Sequence, residues 1–206
     1  MTEPTTPAAG VRFSDELEAW LRGDGPKTLG ELGRVFEDRG FAVTILVLMF
    51  VPALPLPTGG VTHLFELITI VLGAEMIAGR RTIWLPDRWL RRELGATVTG
   101  RAIPFMIRWI RRAERISHGR GAWLFAFGLT RRVLGLLFVL LATAAALAPP
   151  FSGLDTVPAM AAIAIALSIV LEDVLVLLVG IVLGVIGVIL IITLGAAAVH
   201  LVDRLI

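Results

Sequence analysis

Residues 41–79 read FAVTILVLMFVPALPLPTGGVTHLFELITIVLGAEMIAG, which is two apolar arms joined by a turn rich in proline and glycine. Residues 133–171 repeat this pattern as VLGLLFVLLATAAALAPPFSGLDTVPAMAAIAIALSIVL. One common shift along the chain relates three pairs of turn residues: Pro55 and Pro149, Thr58 and Ser152, and Gly59 and Gly153. Matching breaks in two hydrophobic halves are the best sequence indication of a binding site inside a membrane.

The composition excludes several classes of protein. The chain has 206 residues, of which 56% are hydrophobic and only 17% are charged. A soluble domain carries about 25% charged residues, so this composition indicates an integral membrane protein. The chain has no cysteine and only three histidines, which lie far apart, and it carries no phosphate-binding loop or nucleophile motif. We therefore expect no catalytic residue, no metal, no cofactor and no enzymatic activity.

The charges are distributed unevenly along the chain. Residues 80–132 contain thirteen arginines and three acidic residues, whereas residues 1–40 contain eight acidic and five basic residues. An arginine block beside apolar segments marks the cytoplasmic side of a membrane protein. The polar first 40 residues show no signal peptide, so we expect the N-terminus in the cytoplasm as well. The neighbouring apolar segments argue against nucleic acid as the partner of this arginine block.

The predicted fold class is all-α and polytopic, with two repeated helical hairpins broken by proline and glycine. We expect a disordered N-terminus over residues 1–13 and a single membrane domain over residues 14–206. The domain comprises amphipathic helices (14–40), hairpin repeat 1 (41–79), a basic interfacial segment (80–132), hairpin repeat 2 (133–171) and a C-terminal transmembrane helix (174–199). Whether the hairpins span or re-enter the membrane, and whether the repeats are parallel or inverted, stays open.

The glycines of the last apolar run bear on oligomeric state. Gly180, Gly184 and Gly187 lie on that run, and small residues at this spacing let helices approach closely. A homodimer face and the ordinary frequency of glycine in membrane helices are equal alternatives.

Several short motifs follow one another in a fixed order: Arg39-Gly40-Phe41, Gly79-Arg80-Arg81, Trp84-Leu85-Pro86, Arg108-Trp109, Arg111-Arg112-Ala113-Glu114-Arg115, Pro150-Phe151 and Leu171-Glu172-Asp173. This order, over residues 28–194, resembles the ExoD family of bacterial exopolysaccharide-synthesis membrane proteins. The resemblance implies a multi-pass protein of the bacterial inner membrane, with polysaccharide-synthesis proteins among its partners. It supplies no reaction. His63 and Glu66 stand where relatives tend to be apolar, so they inherit no family role.

The candidate binding site consists of the two turns and two polar residues after the first turn: Pro55, Pro57, Thr58, Gly59, Gly60, His63, Glu66, Pro149, Pro150, Ser152 and Gly153. Breaks in a membrane helix leave backbone amides that are available to bind an anion. His63 and Glu66 share a helix face, and ionisable residues at membrane depth indicate function by default. The alternative for this pair is a purely structural hydrogen bond.

Two functions follow from this site. The turns predict binding or transport of an anionic, lipid-linked carrier or of an ion in exopolysaccharide synthesis or export. If the turns are plain loops in water, the protein is instead a non-transporting scaffold that assembles a polysaccharide-synthesis complex.

A second candidate site lies in the basic segment. Ile103, Ile107 and Ile110 recur at helical spacing, which predicts an amphipathic helix in the head-group layer. Its polar and aromatic side chains are expected to bind membrane lipids, including anionic head groups: Arg108, Trp109, Arg111, Arg112 and Arg115.

Overall fold

The computed structural model describes residues 12–36, 39–54, 61–117, 119–148 and 153–205. This part of the chain is all-helical apart from its loops and an isolated β-bridge. A π-helical turn, Val98–Ala102, precedes α7. The helices are α1 (Phe13–Arg22), α2 (Leu29–Val35), α3 (Gly40–Phe50), α4 (Val61–Ile77), α5 (Asp87–Leu90), α6 (Gly95–Thr97), α7 (Ile103–Ile116), α8 (Ala122–Phe125), α9 (Gly128–Leu147), α10 (Thr156–Leu171) and α11 (Val174–Leu205). The all-α prediction is confirmed for these residues. The sequence predicts disorder for residues 1–13, of which residues 1–11 lie outside the described part of the chain.

Helix α3 forms the centre of the fold. Each of its residues is buried, and α2, α4 and α10 pack on it. The sequence explains this burial, because Thr44 is the only polar side chain in the helix. The helix ends at Phe50, two residues before Pro52, whose nitrogen has no hydrogen to donate. Its 11 residues rise about 16 Å, roughly half of the ~30 Å hydrocarbon core.

The two predicted hairpins pack against each other. Helix α4 of the first hairpin lies along α9 of the second, and α10 of the second lies along α3 of the first. The α4–α9 contact is closest at Gly73 and Gly135. A Cβ at Gly135 would lie 2.7 Å from the Gly73 carbonyl oxygen, and a Cβ at Gly73 would lie 2.8 Å from the Gly135 carbonyl oxygen. Glycine at both positions therefore lets the two backbones touch.

Two of the described helices are long and apolar enough to cross a membrane, by length and composition. They are α9 over Gly128–Leu147 and α11 over Val174–Leu194. The apolar helices α3 and α10 are shorter. The first arm of the second hairpin thus begins at Gly128, five residues before the start that the hydropathy pattern predicts.

The glycines of α11 pack this helix on α10 of the same chain. A Cβ at Gly180 would lie 2.9 Å from the Ile165 nitrogen, and a Cβ at Gly187 would lie 3.1 Å from the Pro158 nitrogen. Gly184 faces Ala161 and Leu141. The glycine pattern that left a homodimer open is therefore explained by packing within one chain, and dimerisation stays a prediction without this support.

Candidate functional site

The two turns themselves lie outside the described residues. This applies to eight of the predicted site residues: Pro55, Pro57, Thr58, Gly59, Gly60, Pro149, Pro150 and Ser152. Gly153 is described, and its backbone adopts φ +69°, which favours glycine. No described atom lies within 4 Å of the place that a Cβ would take there. The need for glycine at this position is conformational rather than a matter of close packing.

The helices that leave the two turns start close to each other. Helix α4 begins at Val61 after the first turn, and α10 begins at Thr156 after the second. Asp155, which precedes α10, is near enough to Glu66 of α4 for the two carboxylates to repel each other. An acidic side chain of the second hairpin, Asp155, thus lies within electrostatic range of Glu66 in the first hairpin. We call His63, Glu66 and Asp155 the acidic centre.

Within the acidic centre, His63 and Glu66 form the pair that their spacing predicts. The His63 Nδ1 atom lies 2.8 Å from Glu66 Oε2. Glu66 is fully buried, whereas the His63 side chain is 51% exposed. The other carboxylate oxygen, Oε1, is buried and has no hydrogen-bond partner in the described part of the protein. An unpartnered buried carboxylate oxygen is costly, and it marks a place where a proton or ligand would relieve the cost.

The chemistry of the acidic centre suits a positively charged ligand. Two carboxylates and one imidazole carry net negative charge unless at least two of the three groups are protonated. A phosphate placed there would be repelled by Glu66 and Asp155, whereas a proton or a small cation would be attracted. His63 connects the buried Glu66 to the surface, as the half-exposed partner of the pair.

Glu75, at the other end of α4, has a structural role. Its Oε1 lies 4.0 Å from Arg80 Nη1. Its Oε2 accepts a hydrogen bond of 3.0 Å from the Trp84 backbone nitrogen. The Arg80 guanidinium stacks over the Trp84 ring at 5.4 Å. Glu75 therefore anchors the segment that follows α4.

Two of the short motifs meet at the junction of α10 and α11. Arg39, just before α3, lies 3.7 Å from Glu172, which has the left-handed φ of +51°. The buried Asp173 accepts hydrogen bonds from Ser117 Oγ and from the Leu175 nitrogen, both at 2.8 Å. Asp173 is thus the N-cap of α11. The position of an aspartate before a long apolar run is the sequence signal that could have identified this cap.

Helix α7 is the amphipathic helix that the basic segment predicts. The helix packs on α1. Four of its apolar residues are buried: Ile103, Met106, Ile107 and Ile110. Glu114 accepts hydrogen bonds from the Ser14 nitrogen at 2.9 Å and from its hydroxyl at 2.6 Å.

Arg111 belongs to this contact with α1. Its guanidinium donates to Asp15 at 3.0 Å and to Glu18. These bonds, to Asp15 first, raise the pKa of Arg111. The guanidinium is therefore already engaged by two carboxylates, unlike those of the neighbouring arginines.

The outer side of α7 exposes aromatic and basic side chains together. Trp109 is 56% exposed, and the Arg112 guanidinium lies over its ring at 5.9 Å. Arg108 lies over the ring of the exposed Phe105 at 5.4 Å, and Arg115 is exposed as well. Arg111 thus differs from the other four predicted head-group residues in its contacts, because two carboxylates of α1 bind its guanidinium.

Among the residues that the structure describes, no group of three or more histidine, aspartate or glutamate side chains is arranged to hold a metal ion.

The sequence was compared with known proteins and with solved structures. The sequence profile of the family described as "Exopolysaccharide synthesis, ExoD" matches residues 13–193. A protein of the cyanobacterium Synechocystis, described as uncharacterized, is 24% identical over 153 residues, which cover 73% of this chain and 71% of that relative. No solved structure matches. The family profile covers most of the chain, and the chain therefore belongs to the ExoD family of exopolysaccharide synthesis proteins.

Proposed function

We propose that this protein is a non-enzymatic, multi-pass protein of the bacterial inner membrane that binds and transports a proton at the acidic centre. This activity would serve the exopolysaccharide synthesis that the family description names. The observation that carries the proposal is the buried Glu66, whose open Oε1 lies in the field of Asp155 from the other hairpin. Lipid-linked carriers with phosphate groups are disfavoured here, because two carboxylates would repel them.

The helix pairing supports a site shared by two related halves. The first arm of each hairpin, α3 or α9, packs on the second arm of the other, α10 or α4. Two copies of one hairpin related by a pseudo-two-fold axis would give this pattern. In transporters built from such repeats, the ion site lies where the halves meet, next to broken helices. The acidic centre follows the two predicted breaks directly in the sequence.

The experiment is an ion-flux measurement on the purified protein in sealed liposomes that contain a pH-sensitive dye. We expect wild-type protein to dissipate an imposed proton gradient faster than empty liposomes do. Glu66→Gln keeps the shape of the side chain and removes its charge, so flux should fall to the level of empty liposomes. Asp155→Asn should reduce flux at least several-fold.

The matched control is Glu75→Gln, which also removes a buried carboxylate from α4 but does so at the opposite end, beside Arg80. This variant should retain flux, provided that size-exclusion chromatography shows it to be folded. Wild-type flux equal to that of empty liposomes would contradict transport and favour the scaffold. Equal flux in Glu66→Gln and wild type would remove the acidic centre from the mechanism.

A further inference from the structure

A cleft of about 960 Å³ lies between α2 and the segment that follows α4. One wall is α2 with Thr28 before it, and the other wall runs from Arg81 to Glu93. Small-molecule sites typically measure roughly 300–1,000 Å³, so the cleft has room for a ligand larger than a single inorganic ion. The cleft lies at the end of α4 opposite to Glu66, so it is separate from the acidic centre and does not depend on it.

The cleft is held open by contacts at its base. A Cβ at Gly30 would lie 3.1 Å from the Leu90 carbonyl oxygen, so α2 already touches the opposite wall there. A β-bridge joins Thr28 to Glu93, and the Leu94 nitrogen donates a hydrogen bond of 2.9 Å to the Lys27 carbonyl oxygen. The walls are therefore fixed relative to each other before any ligand arrives.

Only some of the charged side chains that line the cleft are paired with each other. Glu31 and Arg34 pair at 3.6 Å. Within the described part of the chain, no ion pair or hydrogen bond engages the exposed side chains of Arg81 and Arg91. Two arginines without carboxylate partners form a natural site for a phosphate group, which guanidinium binds with two parallel hydrogen bonds.

The carboxylates of the cleft add a second requirement on the ligand. Asp87 and Glu93 also line it and are exposed. Carboxylates accept hydrogen bonds from hydroxyl groups, so they contribute to binding only where the ligand carries such groups. A ligand with phosphate at one end and hydroxyl groups at the other satisfies both kinds of side chain.

We propose that this cleft binds a phosphorylated, hydroxyl-rich ligand, such as a sugar linked to a diphosphate, with the phosphates on Arg81 and Arg91 and the hydroxyls on Asp87 and Glu93. The same diphosphate chemistry occurs in soluble nucleotide sugars and in sugars carried on membrane lipids. Both sources place a diphosphate on the two arginines, and they differ only in what the diphosphate is attached to.

The test is a calorimetric titration of the purified, detergent-solubilised full chain with inorganic pyrophosphate. We expect saturable binding that weakens at least about tenfold in Arg81→Gln/Arg91→Gln, because charge-assisted bonds to phosphate are lost. The matched control is Arg88→Gln/Arg92→Gln, which removes two exposed arginines of the same segment that do not line the cleft. The control should bind as wild type does.

Competition then identifies the source of the ligand. Displacement of pyrophosphate by uridine diphosphate glucose would assign a soluble nucleotide sugar, and displacement by farnesyl diphosphate would assign a lipid-linked diphosphate. Either result supports the proposal. The absence of saturable pyrophosphate binding, or equal weakening in the two double variants, would overturn it, whatever the flux experiment on Glu66 shows.

Discussion

The contact between α4 and α9 makes a sharp prediction about stability: Gly135→Ala destabilises the fold. A Cβ at Gly135 would lie 2.7 Å from the Gly73 carbonyl oxygen, 2.8 Å from Met76 Cβ and 3.0 Å from the Ile77 nitrogen. Two of these atoms belong to the backbone, so the helices must move apart. Overpacking costs about 1–3 kcal/mol, and the better helix propensity of alanine returns roughly 0.5–1 kcal/mol. The net loss is about 0–2.5 kcal/mol, and its midpoint of about 1.25 kcal/mol lowers Tm by roughly 2.5–5 °C in a chain of this size.

The control lies on the same helix. None of the atoms that the structure describes lies within 4 Å of the place that a Cβ would take at Gly128, so Gly128→Ala should leave Tm unchanged or raise it slightly. Gly73→Ala should lower Tm as Gly135→Ala does, since it meets the same contact from the other side. Thermal unfolding in detergent, followed by tryptophan fluorescence, measures all three. Equal Tm values for Gly135→Ala and Gly128→Ala would refute the reasoning, because the two variants differ only in crowding.

Three further predictions concern topology, lipid and the α11 cap. The chain has no cysteine of its own. Cysteines introduced at Arg92 and Arg112 should resist a membrane-impermeant thiol reagent in intact cells, and ready labelling would show that this segment faces the outside instead. Replacing Arg108, Arg112 and Arg115 by glutamine should weaken retention of anionic lipid, measured by native mass spectrometry; unchanged retention would leave these arginines with a role in topology alone. Asp173→Ala should lower Tm by roughly 1–8 °C, because loss of an N-cap costs about 0.5–2 kcal/mol, and an unchanged Tm would show that the cap is dispensable.

Local features of this fold were predictable from the sequence. The burial of α3 follows from an apolar run without a polar face, and its length follows from Pro52. The His63–Glu66 pair follows from a spacing of three residues on a helix, and the observed 2.8 Å contact confirms it. The contact between Glu75 and Arg80 also joins residues that are close in the chain, although Arg80 lies beyond the end of α4. Each of these depends only on residues that are close together in the chain.

Long-range features were not predictable, because no local pattern encodes which helix faces which. Gly180 and Gly184 indicate close helix packing, but only the fold shows that the partner is α10 rather than a second copy. The same holds for Arg111, whose position in an arginine run suggests lipid, while Asp15 and Glu18 from a distant helix engage it. No sequence pattern indicates that Asp155 lies near Glu66, since the distance between them depends on how the hairpins pair.

The position of α3 bears on whether the first hairpin spans the membrane or re-enters it. At the start of α3, Arg39 pairs with Glu172, so this end lies among charged groups. At the other end, the Phe50 ring lies 6.0 Å from the ring of Phe105, which is one helical turn from Arg108. Arginines on an amphipathic helix stay at the level of the head groups or water. Helix α3 is about 16 Å long at about 1.5 Å per residue, and both of its ends are near charged residues. This favours a first arm that re-enters the membrane, enclosed by protein, over an arm that crosses the bilayer.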